Sequence, residues 1–377
     1  MTGLNTAESA EICETKSSTA ELNVTKLSVI VPLYNVEAYA PRGMESIKSQ
    51  VAEGLEGKLE IVLVDDGSTD RSLEVCLEHL RPLEHLSNVD IITIRQENSG
   101  LSVARNEGIF AATGDYIMFL DSDDFLLPNA FSNILVILKS DKPDVLFGRY
   151  LRWSLHTGFL YSKPYKYQPP EDPKKRTEYI ISALPEPSWN AWRYICNRKV
   201  ILERELFFER GILCEDVPWS LTLLENVDSV AFLQEPFYAY YQRRPDSIMN
   251  QMDPKRLVDL NCIVKTLLEQ YKDRPVIFRR LVWQSFFYVN EYCAFNKDER
   301  ELIWKSYKSV LPLYKLSKSR LHRIVGRSQN QVLFYMISLG MFLVKFARRG
   351  WKYGMGSVKE GEKYKEHEEK VNVSTRR

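Results

Sequence analysis

Three short apolar runs in the first third of the chain each end on a cluster of polar side chains. The runs are Leu27–Leu33, Leu59–Val64 and Tyr116–Leu120, and the last is followed directly by Asp121-Ser122-Asp123-Asp124. Runs of this length, rich in β-branched residues, are typical of buried strands. In open α/β sheets, ligands bind at the edge formed by the carboxyl ends of the strands. We therefore expect the three polar clusters to converge on one binding edge.

Helical patterns separate these runs as far as about residue 149. Four helices are predicted, over 39–50, 68–80, 101–112 and 129–139. The second is placed to begin at Ser68, because serine is a preferred residue at helix N-termini. Two further strands are predicted at Val89–Arg95 and Val145–Phe147. Strands alternating with helices predict the α/β class, with a mostly parallel sheet covered by helices.

The clustered carboxylates of residues 121–124 have two ordinary explanations. Carboxylate oxygens suit hard cations such as Mg²⁺ or Mn²⁺, which proteins commonly hold by one or two carboxylates plus the phosphates of a substrate. An Asp-rich segment is also typical of a turn that leads into the next helix. The composition of the segment leaves both explanations open.

The overall charge argues against a nucleic-acid partner. The chain has 51 Lys and Arg against 50 Asp and Glu, so no net field attracts a polyanion. Its six cysteines form no Cys-x-x-Cys pair, which favours reduced cytosolic thiols over a zinc or disulfide framework. Residues 1–26 are polar and have no apolar core, so we predict a disordered lead rather than a secretory signal, and a cytoplasmic protein.

The sequence pattern changes beyond residue 150. Residues 151–190 are rich in Pro, Lys and Tyr and are predicted to form loops. Leu, Phe, Tyr and Trp at three- and four-residue spacing predict helices from about 253 to 330. We divide the chain into a disordered lead (1–26), a main domain (27–250), a helical accessory region (251–352) and a charged disordered tail (353–377).

One apolar run in the accessory region has two interpretations. Residues 332–344 are mostly apolar, and these 13 residues are fewer than the roughly 20 that a membrane-spanning helix needs. The run fits a buried helix. It also fits a helix on a membrane surface, because residues 312–352 contain nine Lys or Arg and no Asp or Glu. The second interpretation predicts peripheral contact of 312–352 with the inner face of the plasma membrane.

Four fragments of the chain stand in a characteristic order. They are Pro32–Asn35, Val64–Asp70, Asn98–Gly108 and Leu120–Asp124. Their order and spacing over about 100 residues resemble those of inverting family 2 glycosyltransferases with the GT-A fold, of the type that builds bacterial cell-surface polysaccharides. The resemblance covers about residues 27–245 and leaves the C-terminal third outside it.

The resemblance implies a nucleotide-sugar donor at the first two strand ends. Asp66 resembles the carboxylate that accepts the N–H of uracil, a role suited to a group that only accepts hydrogen bonds. Pro32 and Tyr34 would line the base, with Tyr34 offering an aromatic face, and Glu37 would join them. Asp65 has a plainer explanation, as the cap of the following helix.

The resemblance also implies a metal site at the third strand end, with Mn²⁺ or Mg²⁺ as cofactor. Asp123 corresponds to the last acid of the family's Asp-x-Asp motif and would coordinate the metal. Asp121 would approach the ribose or a metal-bound water, and Asp124 would cap the turn that follows. A divalent ion on the donor diphosphate neutralises the charge that develops on the leaving group.

A later acid pair resembles the part of the family that supplies the catalytic base. Inversion by a single displacement needs a carboxylate that takes the proton of the acceptor hydroxyl, and we assign this role to Asp216, with Glu215 second. The alternative is an acid pair that only stabilises a helix N-terminus. Downstream, Arg243 and Arg244 resemble the basic loop that folds over the donor diphosphate.

Supporting roles are expected for several other residues. Arg105 and Asn106 are predicted to support the metal loop rather than to touch substrate. Four aromatic residues in the part expected to shape the acceptor site either stack on a sugar ring or pack in the core. They are Trp189, Trp192, Tyr194 and Trp219.

These features predict a metal-dependent inverting glycosyltransferase that moves a sugar from a nucleotide donor, a UDP-sugar, to a saccharide or lipid-linked saccharide. The alternative is a nucleotidyltransferase acting on a sugar phosphate, which would carry a Gly-rich basic loop where this chain has Pro32–Asn35. A response-regulator-like module would leave Glu215 and Asp216 unexplained. The chain lacks the glycine fingerprint of dehydrogenases and the Gly-Lys-Ser/Thr sequence of P-loop enzymes.

Overall fold

The computed structural model of the protein describes residues 25–52, 54–55, 57–154, 158–160, 168–183, 189–241, 253–315, 320–327 and 330–352. The predicted tail, 353–377, and nearly all of the predicted lead, 1–26, lie outside the described residues. Arg243 and Arg244 also lie outside them.

The described segments contain nine strands and twelve α-helices. The strands are β1 Lys26–Leu33, β2 Lys58–Asp65, β3 Val89–Arg95, β4 Tyr116–Phe119, β5 Phe125–Leu126, β6 Val145–Ser154, β7 Gly158–Leu160, β8 Tyr194–Asn197 and β9 Val230–Tyr241. The helices are α1 Ala40–Ala52, α2 Ser72–Leu80, α3 Leu101–Ala111, α4 Ala130–Asp141, α5 Pro173–Glu178, α6 Arg198–Glu203, α7 Asp216–Glu225, α8 Pro254–Gln270, α9 Pro275–Phe287, α10 Lys297–Tyr314, α11 Arg320–Gly326 and α12 Gln331–Lys352.

All nine described strands join one sheet in the order β3-β2-β1-β4-β8-β6-β9-β5, with β7 beside β6. The pairs β1–β2, β2–β3, β1–β4 and β6–β9 are parallel, whereas β8 runs antiparallel to both β4 and β6. Six of the nine therefore point the same way, which confirms the predicted α/β class. The carboxyl ends of β1, β2, β4 and β9 consequently lie on one edge of the sheet.

The central strands are buried because helices cover both faces of the sheet. Every residue of β4 is buried, as are all residues of β1 and β2 after their first. The helix α3 packs closely on β1 at Gly108, where a Cβ atom would overlap the Cγ2 of Ile30. Glycine at this position lets helix and strand approach within the distance that places the start of α3 beside the strand ends.

The helix α2 begins at Ser72 rather than at the predicted Ser68. The intervening residues are held by the loop that follows β1: the Thr69 amide donates to Asn35 Oδ1 at 2.9 Å, and the Glu37 amide donates to Asp70 Oδ2 at 3.0 Å. The Ser72 amide then donates to Asp70 Oδ1 at 3.0 Å. Hydrogen bonds between the loop after β1 and the loop after β2 therefore take the place of the helical turn that was predicted to begin at Ser68.

The C-terminal helices α8 to α12 confirm the predicted helical region and share a continuous hydrophobic core with the sheet. In α12, the side chains of Phe334 and Ser338 are buried, whereas Val332, Leu333 and Met336 are exposed. One side of the described part of the apolar run packs inward and the other is exposed, so the buried helix and the membrane-surface helix both stay predictions. No helix among the described residues combines the length and apolarity needed to cross a membrane.

Candidate active site

Asp66, at the end of β2, anchors the segment that leads into α3. Its Oδ1 accepts hydrogen bonds from Gln96 Nε2 at 2.7 Å and from the Ser99 amide at 2.8 Å, and its Oδ2 accepts one from the Gly100 amide at 2.8 Å. A carboxylate offers about four acceptor positions, so three are filled by the chain and one remains on the Oδ2 side. The uracil role stays a prediction, and the structure adds an anchoring role that the sequence did not indicate.

Asp65 closes a turn rather than capping α2. Its Oδ1 accepts from the Ser68 amide at 3.0 Å, and its Oδ2 lies 3.8 Å from Arg95 Nε. Because α2 starts only at Ser72, the helix-cap explanation of Asp65 is wrong in position. Asp65 therefore shapes the loop that follows β2.

The other residues predicted to hold the base lie at the end of β1. Tyr34 is 48% exposed at the sheet edge, whereas Pro32 is buried within the strand opposite Val64. Glu37 Oε2 accepts a hydrogen bond from the Arg71 amide at 3.1 Å, so this side chain also joins the two loops. Of the three, only Tyr34 presents a largely open surface.

Arg105 of α3 links the two acidic segments that sequence reasoning singled out. Its NH2 lies 2.9 Å from Asp121 Oδ1 and its NH1 lies 2.6 Å from Glu215 Oε1, and the side chain is only 3% exposed. Burial alone would lower the pKa of Arg105, but Asp121 and Glu215 raise it above its usual value. A fixed guanidinium therefore holds the end of β4 beside the start of α7.

Asn106, next to Arg105, does not support the metal loop as predicted. Its Nδ2 donates to the Phe208 carbonyl and its Oδ1 accepts from the Phe208 amide, both at 2.9 Å. This reciprocal pair fixes the segment before residue 210 to α3. The prediction was wrong because the partner is about a hundred residues away and sequence spacing gives no sign of it.

The acidic turn after β4 divides into an open part and a buried part. Asp121 and Asp123 are partly exposed, whereas Asp124 is fully buried. Asp124 Oδ2 accepts from Tyr238 Oη and its Oδ1 accepts from the Tyr241 amide, both at 2.7 Å. Its predicted role as a turn cap is therefore wrong: the side chain fastens the turn to β9.

The same burial sets the protonation of this turn. Burial, with the negative charges of Asp123 and Asp121, raises the pKa of Asp124 well above its usual range. The Tyr238 hydroxyl also accepts from the Asp121 amide at 3.2 Å, so one tyrosine contacts both ends of the turn. The turn is thus held rigidly from behind while the carboxylates of Asp121 and Asp123 remain at the surface.

The partly exposed carboxylates of Asp121 and Asp123 are chemically suited to a divalent-cation site. Both supply hard oxygen atoms, which Mg²⁺ and Mn²⁺ prefer. Among the described residues, no group of three or more His, Cys, Asp or Glu is arranged to hold a metal. A cation bound here would take its remaining ligands from water or from a bound phosphate, as Mg²⁺ commonly does.

Glu215 and Asp216 lie side by side at the start of α7, which the alternative explanation by the helix dipole also predicts. Their environments differ. Glu215 is buried against Arg105, whereas Asp216 is partly exposed. Burial, together with the negative charge of Glu215, raises the pKa of Asp216 to about 7, although Arg105 acts to lower it. A carboxyl with such a pKa can accept a proton near neutral pH.

The backbone before this acid pair is held in an unusual conformation. Cys214 has φ 65° and Gly211 has φ 77°, both in the left-handed region, which costs about 1–3 kcal/mol for a residue with a side chain. The helix α8 stabilises the segment, because Asp259 Oδ2 accepts from the Leu213 amide at 2.9 Å. Lys255 Nζ donates to the Gly211 carbonyl at 2.8 Å. Sequence reasoning missed these contacts, which tie the accessory helices to the acid pair.

The far end of α7 is fixed by the accessory region as well. Arg274, which precedes α9, places NH1 2.7 Å from Glu225 Oε1 and Nε 3.1 Å from Glu178 Oε1. The helix that carries Asp216 is therefore anchored before its first turn and at its last. In the sequence, Arg274 is a charged residue in a helical region, and nothing there indicated that it anchors α7.

The four aromatic residues considered for an acceptor site pack in the core. They are Trp189, Trp192, Tyr194 and Trp219, and each is almost fully buried. Trp192 stacks on Tyr238 with ring centroids 4.2 Å apart, and Trp219 stacks on Phe208 at 4.5 Å. The core interpretation is thus the right one. These rings support the acidic edge from below rather than lining it.

The mixed, helix-covered sheet, with acidic side chains at the carboxyl edge of its parallel strands, has the GT-A fold. Residues 28–189 match the family described as Glycosyl transferase family 2. Residues 28–189 therefore form a glycosyl transferase family 2 domain, which confirms the family that the four sequence fragments predicted.

Three relatives illustrate the similarity. The uncharacterized glycosyltransferase YibD of Escherichia coli K12 is 25% identical over 296 residues, which are 74% of this chain and 82% of YibD. The minor teichoic acid biosynthesis protein GgaB of Bacillus subtilis is 37% identical over 118 residues, 31% of this chain but only 12% of GgaB. The crystal structure of S. aureus TarS 1-349 in complex with UDP-GlcNAc has a TM-score of 0.63 at 20% identity and covers 89% of this chain and 95% of that one. The last likeness is one of fold.

Proposed function

We propose that the protein is a metal-dependent, inverting glycosyltransferase that transfers a sugar from a nucleotide-sugar donor, a UDP-sugar, to a saccharide or lipid-linked saccharide acceptor in cell-surface polysaccharide synthesis. One observation carries the proposal: Arg105 holds the acidic turn after β4 and the acid pair of α7 side by side at the sheet edge. The family 2 domain, the UDP-GlcNAc in the TarS structure and the name of GgaB support the donor and the pathway class.

The donor would lie across the ends of β1 and β2. Tyr34 offers its exposed ring to the base, and Asp66 keeps one acceptor position for a base N–H. Arg243 and Arg244 follow β9, whose carboxyl end lies on the same edge, and their guanidinium groups suit a diphosphate. Pro32, near the end of β1, and Glu37, in the loop after it, would help to shape the donor site.

Asp123, with Asp121 beside it, would hold Mn²⁺ or Mg²⁺. A bound cation would neutralise the charge that develops on the diphosphate leaving group. The protein's own contribution is to keep these carboxylates in place. Asp124 and Tyr238 do so from the core side, and Arg105 does so through Asp121.

Asp216 would act as the base that removes the proton from the acceptor hydroxyl. As that hydroxyl oxygen forms its bond to the anomeric carbon, the bond from this carbon to the diphosphate breaks on the opposite face, and the configuration inverts. Glu215 is less suited to the role because it is buried and its Oε1 is paired with a guanidinium nitrogen of Arg105 at 2.6 Å. Its neighbour Asp216, with a pKa of about 7, is better matched to proton transfer.

Replacement of Asp216 by asparagine tests the proposal. A panel of UDP-, GDP-, CDP- and dTDP-sugars with Mn²⁺ in a thermal-shift assay first identifies the donor. We then expect Asp216→Asn to reduce nucleotide release from that donor by at least about a hundredfold, the scale of general base catalysis, while calorimetry shows unchanged UDP affinity. The exposed Asp273→Asn is the matched control. Near-normal turnover by Asp216→Asn would contradict the base assignment.

A further inference from the structure

The described part of α12 exposes an apolar face that no other described segment covers. Val332 is 73% exposed, Leu333 47% and Met336 59%. Met336 is four residues from Val332 and three from Leu333, spacings that make side chains neighbours on a helix surface, so the three form one patch around Met336. We call these three residues the α12 patch.

The opposite face of the helix is firmly packed, so the exposure does not reflect a detached helix. The ring of Phe334 lies 4.9 Å from that of Tyr292 and 4.8 Å from that of Tyr307. The hydroxyl of Ser338 accepts a hydrogen bond from the Cys293 amide at 3.0 Å. These contacts fix the orientation of α12 and keep the patch pointing away from the core.

Charge decides between the possible occupants of this surface. Residues 312–352 carry nine Lys or Arg and no Asp or Glu, so the segment is complementary to an anionic layer. A second copy of the chain docked through the same face would bring two acid-free basic segments together, which like-charge repulsion disfavours. Three of these bases are exposed among the described residues: Lys315 directly after α10, Arg323 in α11 and Arg327 directly after it.

We propose that the α12 patch and the basic segment 312–352 dock the protein on an anionic membrane surface, with α12 lying in the plane of the lipid headgroups. The inference goes beyond the proposed transferase activity and does not depend on it. The apolar side chains of the α12 patch would enter the boundary between headgroups and acyl chains, and the exposed bases Lys315, Arg323 and Arg327 would contact anionic headgroups.

Vesicle flotation of the full chain tests the proposal. We expect the protein to float with vesicles of phosphatidylcholine mixed with phosphatidylglycerol, but not with phosphatidylcholine alone, and to be released by high salt. The double variant Val332→Ser/Met336→Ser should bind the anionic vesicles at least about tenfold more weakly. The matched control is Val136→Ser/Leu302→Ser, which removes two apolar side chains of similar exposure elsewhere and should float as the unaltered protein does.

Thermal melting and light scattering complete the test. Because all the exchanged side chains are exposed, the melting temperatures of both double variants should stay close to that of the parent. Equal flotation of the patch variant and the parent, or equal binding to neutral and anionic vesicles, would overturn the proposal. So would a dimer that the patch variant dissociates in the absence of any vesicle binding, because the patch would then be a contact between copies.

Discussion

Replacing Arg105 by methionine removes the group that holds two acidic segments together. The substitution keeps the side-chain length roughly constant but deletes the guanidinium that lies 2.6 Å from Glu215 and 2.9 Å from Asp121. Glu215 is buried and Asp216 stands beside it, so the variant leaves a carboxylate without its cation in a region that already repels negative charge. Both the fold and the site should respond.

The expected loss of stability follows from the burial of this ion pair. Removing one partner of a buried pair typically destabilises a protein by about 3–5 kcal/mol, because the remaining charge is left uncompensated. For a chain of this size that loss corresponds to a fall in melting temperature of about 4–6 °C. Arg105→Lys keeps the charge but cannot reach both carboxylates in a fork, so its loss should be about 1.5–3 kcal/mol, the contribution of one charged hydrogen bond.

Urea unfolding and thermal melting at neutral pH measure these losses. The matched control is Arg71→Met, which deletes an arginine whose ion pair with Glu78 is 61% exposed on both sides. Such surface pairs contribute about 0–1 kcal/mol. If Arg105→Met unfolded within about 1 kcal/mol of the parent, like the control, the view that Arg105 ties the two acidic segments together would be refuted.

Two further substitutions give distinct outcomes. The pKa of Asp216 is about 7 in the fold, against about 4 for a free carboxyl. The parent should therefore lose stability relative to Asp216→Asn as the pH rises from about 4 to about 7. Urea unfolding of both proteins across this range measures the difference in stability, and a difference that stays constant would contradict the raised pKa. Gly108→Ala should destabilise the protein by about 1–3 kcal/mol because its methyl group overlaps Ile30, whereas Gly340→Ala, in open space on a helix, should be neutral or slightly stabilising in the same assay. Equal effects of the two glycine substitutions would refute the close packing of α3 on β1.

The sequence predicted those parts of the molecule that depend on local periodicity. The strands at Leu27 and Leu59, the strand before Asp121 and the convergence of their ends followed from apolar runs and the direction of parallel strands. Burial over long sequence distances could not be predicted in the same way. The role of Asp124 depends on Tyr238, which lies more than a hundred residues later, and the core position of Trp192 depends on the same tyrosine.

The start of α2 shows the same limit on a smaller scale. Ser68 is a favourable residue for a helix N-terminus. In the structure, however, its hydroxyl accepts from the Asn35 amide, and the Thr69 amide donates to Asn35, so the loop after β1 binds the groups that a helix start would use. Similarly, the contacts of Asp259 and Arg274 with the two ends of α7 join regions that the sequence pattern separates. Pairings of this kind become visible only when the chain is folded.

The most direct test of the central claim is a calorimetric titration of the protein with UDP, GDP, CDP and dTDP, each with and without Mn²⁺, repeated on Asp123→Ala. The account predicts that UDP binds most tightly, that Mn²⁺ strengthens its binding, and that Asp123→Ala removes the strengthening by Mn²⁺ without unfolding the protein. Binding of UDP that is unaffected by Mn²⁺ and by Asp123→Ala, or no binding of any nucleoside diphosphate, would contradict the assignment of this sheet edge as a metal-dependent donor site.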